Sequence, residues 1–240
     1  MEQTNLCELT PEQLVLYART LEQVRDDVFA TVQKKGFTHS RIEILAALTR
    51  LRQICNHPAL VDKRYPRTAA LSGKLEHALE LIREAHDGGH KVLCFSQFTS
   101  MLDIIRPLLD EQGIGHCTIE GKTRDREEQV KRFAKDPSVG VFLLSLKAGG
   151  TGLTLTEADT VILFDPWWNP MVERQAMDRA HRIGQKKSVN VYKLITKATI
   201  EEKVLALQQR KRELFEAVMS SEGEVDITAL TWDDLKGLFE

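Results

Sequence analysis

The sequence predicts an α/β fold: a parallel sheet covered by helices on both faces, with a helical hairpin ahead of it. Three observations carry that expectation. Short apolar runs such as Val139–Leu146, bounded by turn residues, read as strands buried on both faces. These runs alternate with amphipathic helical stretches in about five units, the pattern of a parallel sheet with crossover helices. The opening 70 residues instead carry two helical patterns in succession with no strand between them.

The elements follow in order. Thr10 caps a helix that begins at Pro11 and Glu12, because a β-hydroxyl suits the N-cap and proline the first helical position. Its apolar stripe is Leu14, Leu21, Val24 and Val28, and it stops at Lys34-Lys35-Gly36. A second helix starts near Thr38–Ser40 and carries Ile42, Leu45, Leu48, Leu51 and Ile54 until Pro58. The polar stretch Asp62–Ser72 marks a boundary. Strands are then expected at Lys91–Phe98, His116–Ile119, Val139–Leu146, Thr160–Phe164 and Val189–Ile195. Helices are expected at Thr99–Glu111, Asp125–Lys135, Met171–Ile183 and Thr199–Met219. After an acidic stretch, Trp232–Phe239 forms a short amphipathic segment, and Leu230, Leu235, Leu238 and Phe239 point to docking back on the lobe. The divisions are thus a helical subdomain over 1–70, the α/β lobe over 71–220 and an acidic tail with a short helix over 221–240.

Composition removes several classes of function. The chain has 240 residues, of which 42% are hydrophobic and 28% charged, an ordinary globular balance. The longest apolar stretch falls far short of the roughly 18 residues that span a bilayer, and no basic-then-apolar leader opens the chain, so no membrane partner or outward routing is expected. Lys plus Arg is 33 against 35 Asp plus Glu, a formal charge of −2. Contacts to phosphate must therefore come from local placement of cations, backbone N–H groups and helix N-termini. Cys7, Cys55, Cys94 and Cys117 are widely spaced with no Cys-x-x-Cys, which favours reduced thiols over a metal cluster.

In an open parallel sheet, ligands bind at the carboxyl ends of the strands. That rule directs attention to Phe95–Gln97, Gly121–Thr123, Ser145–Gly152 and Asp165–Trp168. On the helix expected after Pro170, Val172, Ala176, Ala180 and Ile183 form one stripe, with Gln175, Asp178, Arg179 and Arg182 in the adjoining sector. Spacing alone leaves two readings: an arginine pair aimed at one anion, or Arg182 paired with Asp178 at i,i+4 on a solvated face. The glycines at Gly149, Gly150 and Gly152 let backbone N–H groups approach phosphate, or simply make a tight turn. Gly121-Lys122-Thr123 is not the end of a P-loop, since His116 stands where that motif needs glycine, and no acidic string is placed to hold a nucleotide magnesium.

Together these strings resemble the second, C-terminal, RecA-like motor lobe of Swi/Snf-type ATPases, a branch of the superfamily-two helicases. The resemblance rests on Leu51-Arg52-Gln53-Ile54-Cys55-Asn56-His57-Pro58, Lys91–Phe98, Gly121-Lys122-Thr123, Leu144–Leu155, Asp165–Pro170 and Gln175–Gln185, and it extends over almost the whole chain. It implies that Arg179 and Arg182 are arginine fingers in a DNA-dependent ATPase, with Gln175 and Asp178 beside the nucleotide and Gly150 and Gly152 in a loop coupling the cleft to DNA. ATP with magnesium would be held mainly by the first lobe, whose P-loop this chain lacks, so the chain alone is expected to be inactive. The implied partners are that first lobe and double-stranded DNA, gripped by its phosphate backbone without regard to sequence. The implied DNA contacts are Gly121, Lys122, Thr123, Ser145, Lys147 and Gly149, with Ser96 and Gln97 as either contacts or strand-end caps. Trp168 either touches DNA or packs structurally.

Two other readings compete, a non-catalytic DNA- or protein-binding scaffold and a lobe of a strand-separating helicase. The intact Gln175, Arg179 and Arg182 set argues against the first. Asp165–Pro170 and His181–Gln185 favour the Swi/Snf branch over the second. Short spacing between motifs leans toward a bacterial or archaeal source and a nucleoid-associated cytoplasmic location; a eukaryotic source would make it nuclear.

Overall fold

A computed structural model describes residues 1–146, 155–165, 178, 188–218 and 231–240, apart from the side chains of 211–218. The described strands are β1 Glu2–Cys7, β2 Val92–Ser96, β3 Gly115–Ile119, β4 Val139–Ser145, β5 Thr160–Leu163 and β6 Asn190–Thr196. They form one all-parallel sheet in the order β1-β6-β5-β2-β4-β3. The described helices are α1 Pro11–Lys35, α2 Arg41–Asn56, α3 Gly73–Asp87, α4 Thr99–Glu111, α5 Arg126–Lys135, α6 Ile200–Val218 and α7 Trp232–Phe239. None of them is long and apolar enough to cross a membrane. The helix expected over Met171–Ile183 lies outside the described residues.

Both faces of the central strands are buried, which is why those strands read as unbroken apolar runs. In β2, Val92 and Cys94 face α3 and α4, while Leu93 and Phe95 face the opposite cluster with Phe133 of α5. Phe133 meets Phe142 of β4 at 5.1 Å between ring centroids. Each buried side chain of this size contributes on the order of 1.5–3 kcal/mol.

A third cluster joins the hairpin to the end of the chain. Tyr17, Val24 and Val28 of α1 pack with Ile44, Leu48, Leu51 and Ile54 of α2, Ile200 and Leu207 of α6, and Leu235, Leu238 and Phe239 of α7. Trp232 sets its ring edge-on to Phe29 at 5.5 Å. The terminal segment therefore docks back on the helical hairpin, through three of the four residues named for it; Leu230 lies outside the described set.

Three features depart from the reading of the sequence. Glu2–Cys7 is an edge strand paired with β6, although Glu2, Gln3 and Thr4 are polar and exposed and only Cys7 is buried; backbone bonds hold it, and these leave no apolar pattern. Helix α3 follows the Asp62–Ser72 boundary directly, capped by the Ser72 hydroxyl accepting from the Leu75 N–H. Its inward stripe contains Lys74, a charge in the apolar register. The hairpin stripes hold at Val24, Val28, Leu48, Leu51 and Ile54 but differ toward the helix starts: Leu14 and Ile42 are exposed and Leu45 is at 39%, whereas Gln13, Tyr17, Thr20, Ile44 and Ala47 face inward. Gln13 is buried because its amide has structural work, donating to the Ile54 and Cys55 carbonyls at the end of α2 and accepting from the Thr10 N–H.

Candidate functional site at the carboxyl edge of the sheet

All strands run the same way, so the ends of β2, β4, β5 and β6 converge on one edge. The end of α2 and the starts of α3 and α6 meet there, and a buried polar network ties them together. Asp165, two residues beyond β5, is 0% exposed. It accepts the Gln97 N–H on Oδ1 at 2.7 Å, and on Oδ2 the Ser96 hydroxyl and the Asn56 Nδ2 at 2.9 Å. Asn56 Oδ1 in turn accepts from Lys74 Nζ at 3.1 Å. The same ammonium donates to both carboxylate oxygens of Glu201, at 2.6 and 2.5 Å. Glu201 also accepts the Thr196 N–H, at 2.9 Å. Three donors on one ammonium and a doubly engaged carboxylate leave neither ion of the pair short of partners.

Further polar groups fix the helix ends around this chain of contacts. The Ser72 hydroxyl donates to the Asn56 carbonyl at 2.6 Å. The Ile200 N–H at the start of α6 donates to the Tyr17 hydroxyl at 2.7 Å. Arg52, 5% exposed, stands over the Phe98 ring at 5.9 Å. His57 is buried with its Nδ1 accepting the Ala59 N–H and its Nε2–H directed to the Thr68 carbonyl, and burial holds its pKa below the usual imidazole value.

Burial pushes the Asp165 carboxyl up to about 6, against the pull of Arg52, the Gln97 N–H, the Ser96 hydroxyl and Lys74. The thiols of Cys55 and Cys94 are pushed to about 12 by desolvation, so both stay protonated and serve as packing groups. Among the described residues no group of three or more His, Cys, Asp or Glu is arranged to hold a metal ion.

The sequence-derived candidates divide into three groups. Ser96 is wholly buried, with its hydroxyl spent on Asp165 and the Phe98 N–H, which is the strand-end-cap alternative rather than a surface contact. Gln97 is half-buried and lends its backbone N–H to the same carboxylate, and Ser145 at the end of β4 is only 3% exposed. Burial thus takes Ser96 and Ser145 away from the surface on which a phosphate contact was expected. Gly121, Lys122 and Thr123 form a tight turn after β3, closed by the Glu120 N–H on the Thr123 hydroxyl at 2.9 Å, with Lys122 exposed at its tip. Asp178 is exposed. Gln175, Arg179, Arg182, Lys147, Gly149, Gly150, Gly152 and Trp168 lie outside the described residues. Sequence reasoning missed Asp165, Lys74 and Glu201 as one unit. Asp165 sits inside a quoted motif, but nothing in spacing ties residues 74 and 201 to it.

The parallel sheet, its two helical layers and a polar network at the carboxyl edge define a RecA-like α/β lobe. The family model for the helicase conserved C-terminal domain matches residues 73–184. The Sulfolobus solfataricus SWI2/SNF2 ATPase C-terminal domain superposes with a TM-score of 0.76 at 34% identity, covering 99% of this chain and 97% of that one. The ATPase core of the same name in complex with dsDNA gives 0.81 at 36% identity, covering 99% of this chain and 49% of that one. An uncharacterized ATP-dependent helicase of Mycoplasma pneumoniae is 37% identical over 235 residues, which is 97% of this chain and 22% of that protein. The chromatin-remodeling ATPase INO80 of Emericella nidulans is 45% identical over 166 residues, 68% of this chain and 10% of that protein. The chain belongs to the helicase conserved C-terminal domain family, as a SWI2/SNF2-type second lobe, and it spans less than a quarter of the length of these two helicase and remodelling relatives.

Proposed function

We propose that this chain is the second lobe of an ATP-dependent motor that translocates on double-stranded DNA. The observation that carries the reading is the likeness, over 99% of the chain, to an ATPase core solved in complex with dsDNA. In this reading Arg179 and Arg182 neutralise charge on the transferred γ-phosphoryl group, with Gln175 and Asp178 beside them and Gly150 and Gly152 in the adjoining loop. ATP and its magnesium are gripped mainly by a first lobe. Asp165 begins the string that leads to these arginines, and the buried network gives that string a fixed root. A rigid root matters because a fingertip misplaced by about 1 Å can lose about 10²-fold in rate.

On the DNA side, Gly121, Lys122 and Thr123 offer an exposed turn to the phosphate backbone, with Lys147, Gly149 and Trp168 as further contacts. Such contacts carry no sequence preference. The test uses the chain by itself with ATP and a random-sequence duplex. ATP turnover should stay at background with or without duplex, because this chain has no P-loop. DNA-stimulated hydrolysis by the 240-residue chain alone would refute the reading.

A further inference from the structure

The outer edge of the sheet carries a feature that the candidate residues Lys122 and Thr123 account for only in part. A groove of about 510 Å³ runs beside edge strand β3, lined by Arg106 of α4, by His116 and Thr118 of β3, by the turn after β3, and by Arg132 of α5. Arg106, Lys122, Arg124 and Arg132 give it four fixed cations against two carboxylates, Glu120 and Asp125, in a chain whose formal charge is −2. Lys122 and Arg124 are exposed and have no carboxylate partner among the described residues. Arg132 is tethered to Asp136, which does not line the groove, whereas Arg106 is shared between Asp103 outside it and Glu120 within it, the latter at 3.7 Å. From His116 to Glu120 the strand advances about 13 Å at roughly 3.3 Å per residue, long enough to follow more than one phosphate.

We infer that this groove is a phosphodiester-binding track that continues the DNA path from the Gly121–Thr123 turn along the outside of β3. The inference rests on the DNA reading proposed above and adds Arg106, Arg124 and Arg132 to it. Guanidinium forks match phosphate oxygens two at a time, and the Thr118 hydroxyl adds a neutral donor of the kind that binds phosphate, while the Gln129 amide is engaged with Asp125. The groove is open and polar and has no apolar anchor pocket, which fits a backbone better than a folded protein partner.

The test is fluorescence anisotropy of a labelled random-sequence duplex titrated with this chain between 50 and 200 mM salt. Arg124→Ala/Arg132→Ala is compared with wild type and with Lys122→Ala, and circular dichroism melting confirms that each variant folds. The double variant should bind at least about 5-fold more weakly at low salt, with a log–log salt slope shallower by about 2, since each lost phosphate contact removes roughly 0.9. Arg132→Lys should recover most of the slope while leaving part of the affinity loss. A double variant with wild-type affinity and slope, while Lys122→Ala still weakens binding, overturns the groove and leaves the DNA reading standing. A wild-type chain that binds no duplex at 50 mM salt overturns both. Displacement of duplex by neither polyphosphate nor heparin, but by polyglutamate, would assign the groove to an acidic protein segment and overturn the inference.

Discussion

Replacing Lys74 with alanine removes the cation from a pair whose lysine side chain is 0% exposed and whose glutamate is 3% exposed. The variant leaves Glu201 charged, buried and held only by the Thr196 N–H, and it strips Asn56 Oδ1 of its donor. Breaking a buried pair from one side costs about 3–5 kcal/mol, because the surviving ion keeps its desolvation penalty. In a domain of this length that corresponds to a fall in Tm of roughly 6–20 °C. Lys74→Met/Glu201→Gln removes both charges and keeps an acceptor for Thr196, so it should recover to within about 1–2 kcal/mol of wild type. The assay is urea unfolding followed by circular dichroism at neutral pH, with wild type, Lys74→Ala, the double variant and its two single changes Lys74→Met and Glu201→Gln in one series. A Lys74→Ala loss below about 1 kcal/mol, or a double variant costing the sum of its single changes, refutes the coupling.

Two further outcomes follow from the same edge and its surroundings. The folded Asp165 carboxyl lies near 6, above the ordinary value of 3.8, so the folded state binds the extra proton between those values. Its contribution to stability is therefore greatest at low pH, is lost as pH rises through about 6, and amounts to roughly 3 kcal/mol at most. Asp165→Asn does not titrate, so the stability of wild type relative to this variant should be higher at pH 4 than at pH 7 in urea titrations; a flat difference contradicts the burial argument. Separately, a Cβ on Gly115 would lie 2.2 Å from the Ser138 carbonyl oxygen. Gly115→Ala should lose about 1–3 kcal/mol in thermal denaturation, and a variant as stable as wild type would mean that the β3–β4 register yields there.

What the sequence made legible was governed by the kind of force holding each element. Helices α4 and α5 and strands β2 to β6 were found to within about two residues, because burial on both faces imposes apolar runs and the crossover helices carry clear stripes. Strand β1 was missed because its pairing with β6 is a backbone matter that polar Glu2–Asn5 does not disclose. The hairpin stripes were right at Val24, Val28, Leu48, Leu51 and Ile54 but wrong near the helix starts, where Gln13 and Thr20 occupy inward positions and Leu14, Ile42 and Leu45 outward ones. At the site, motif strings pointed to the right edge of the sheet. The Lys74–Asn56–Asp165 chain of contacts joins residues far apart in sequence, and only folding brings them within hydrogen-bonding distance. Ser96 shows the reverse case: its place at a strand end was plain, whereas its burial depended on Asp165, which the sequence did not link to it.

The central claim is that two guanidinium groups of this lobe act on the nucleotide held by its partner lobe. The most direct measurement is DNA-stimulated ATP turnover in a complete two-lobe motor carrying Arg179→Ala or Arg182→Ala, with nucleotide and duplex binding measured alongside. Turnover should fall by about 10³-fold or more for either variant while duplex binding persists. Turnover at the wild-type rate in either variant would contradict it.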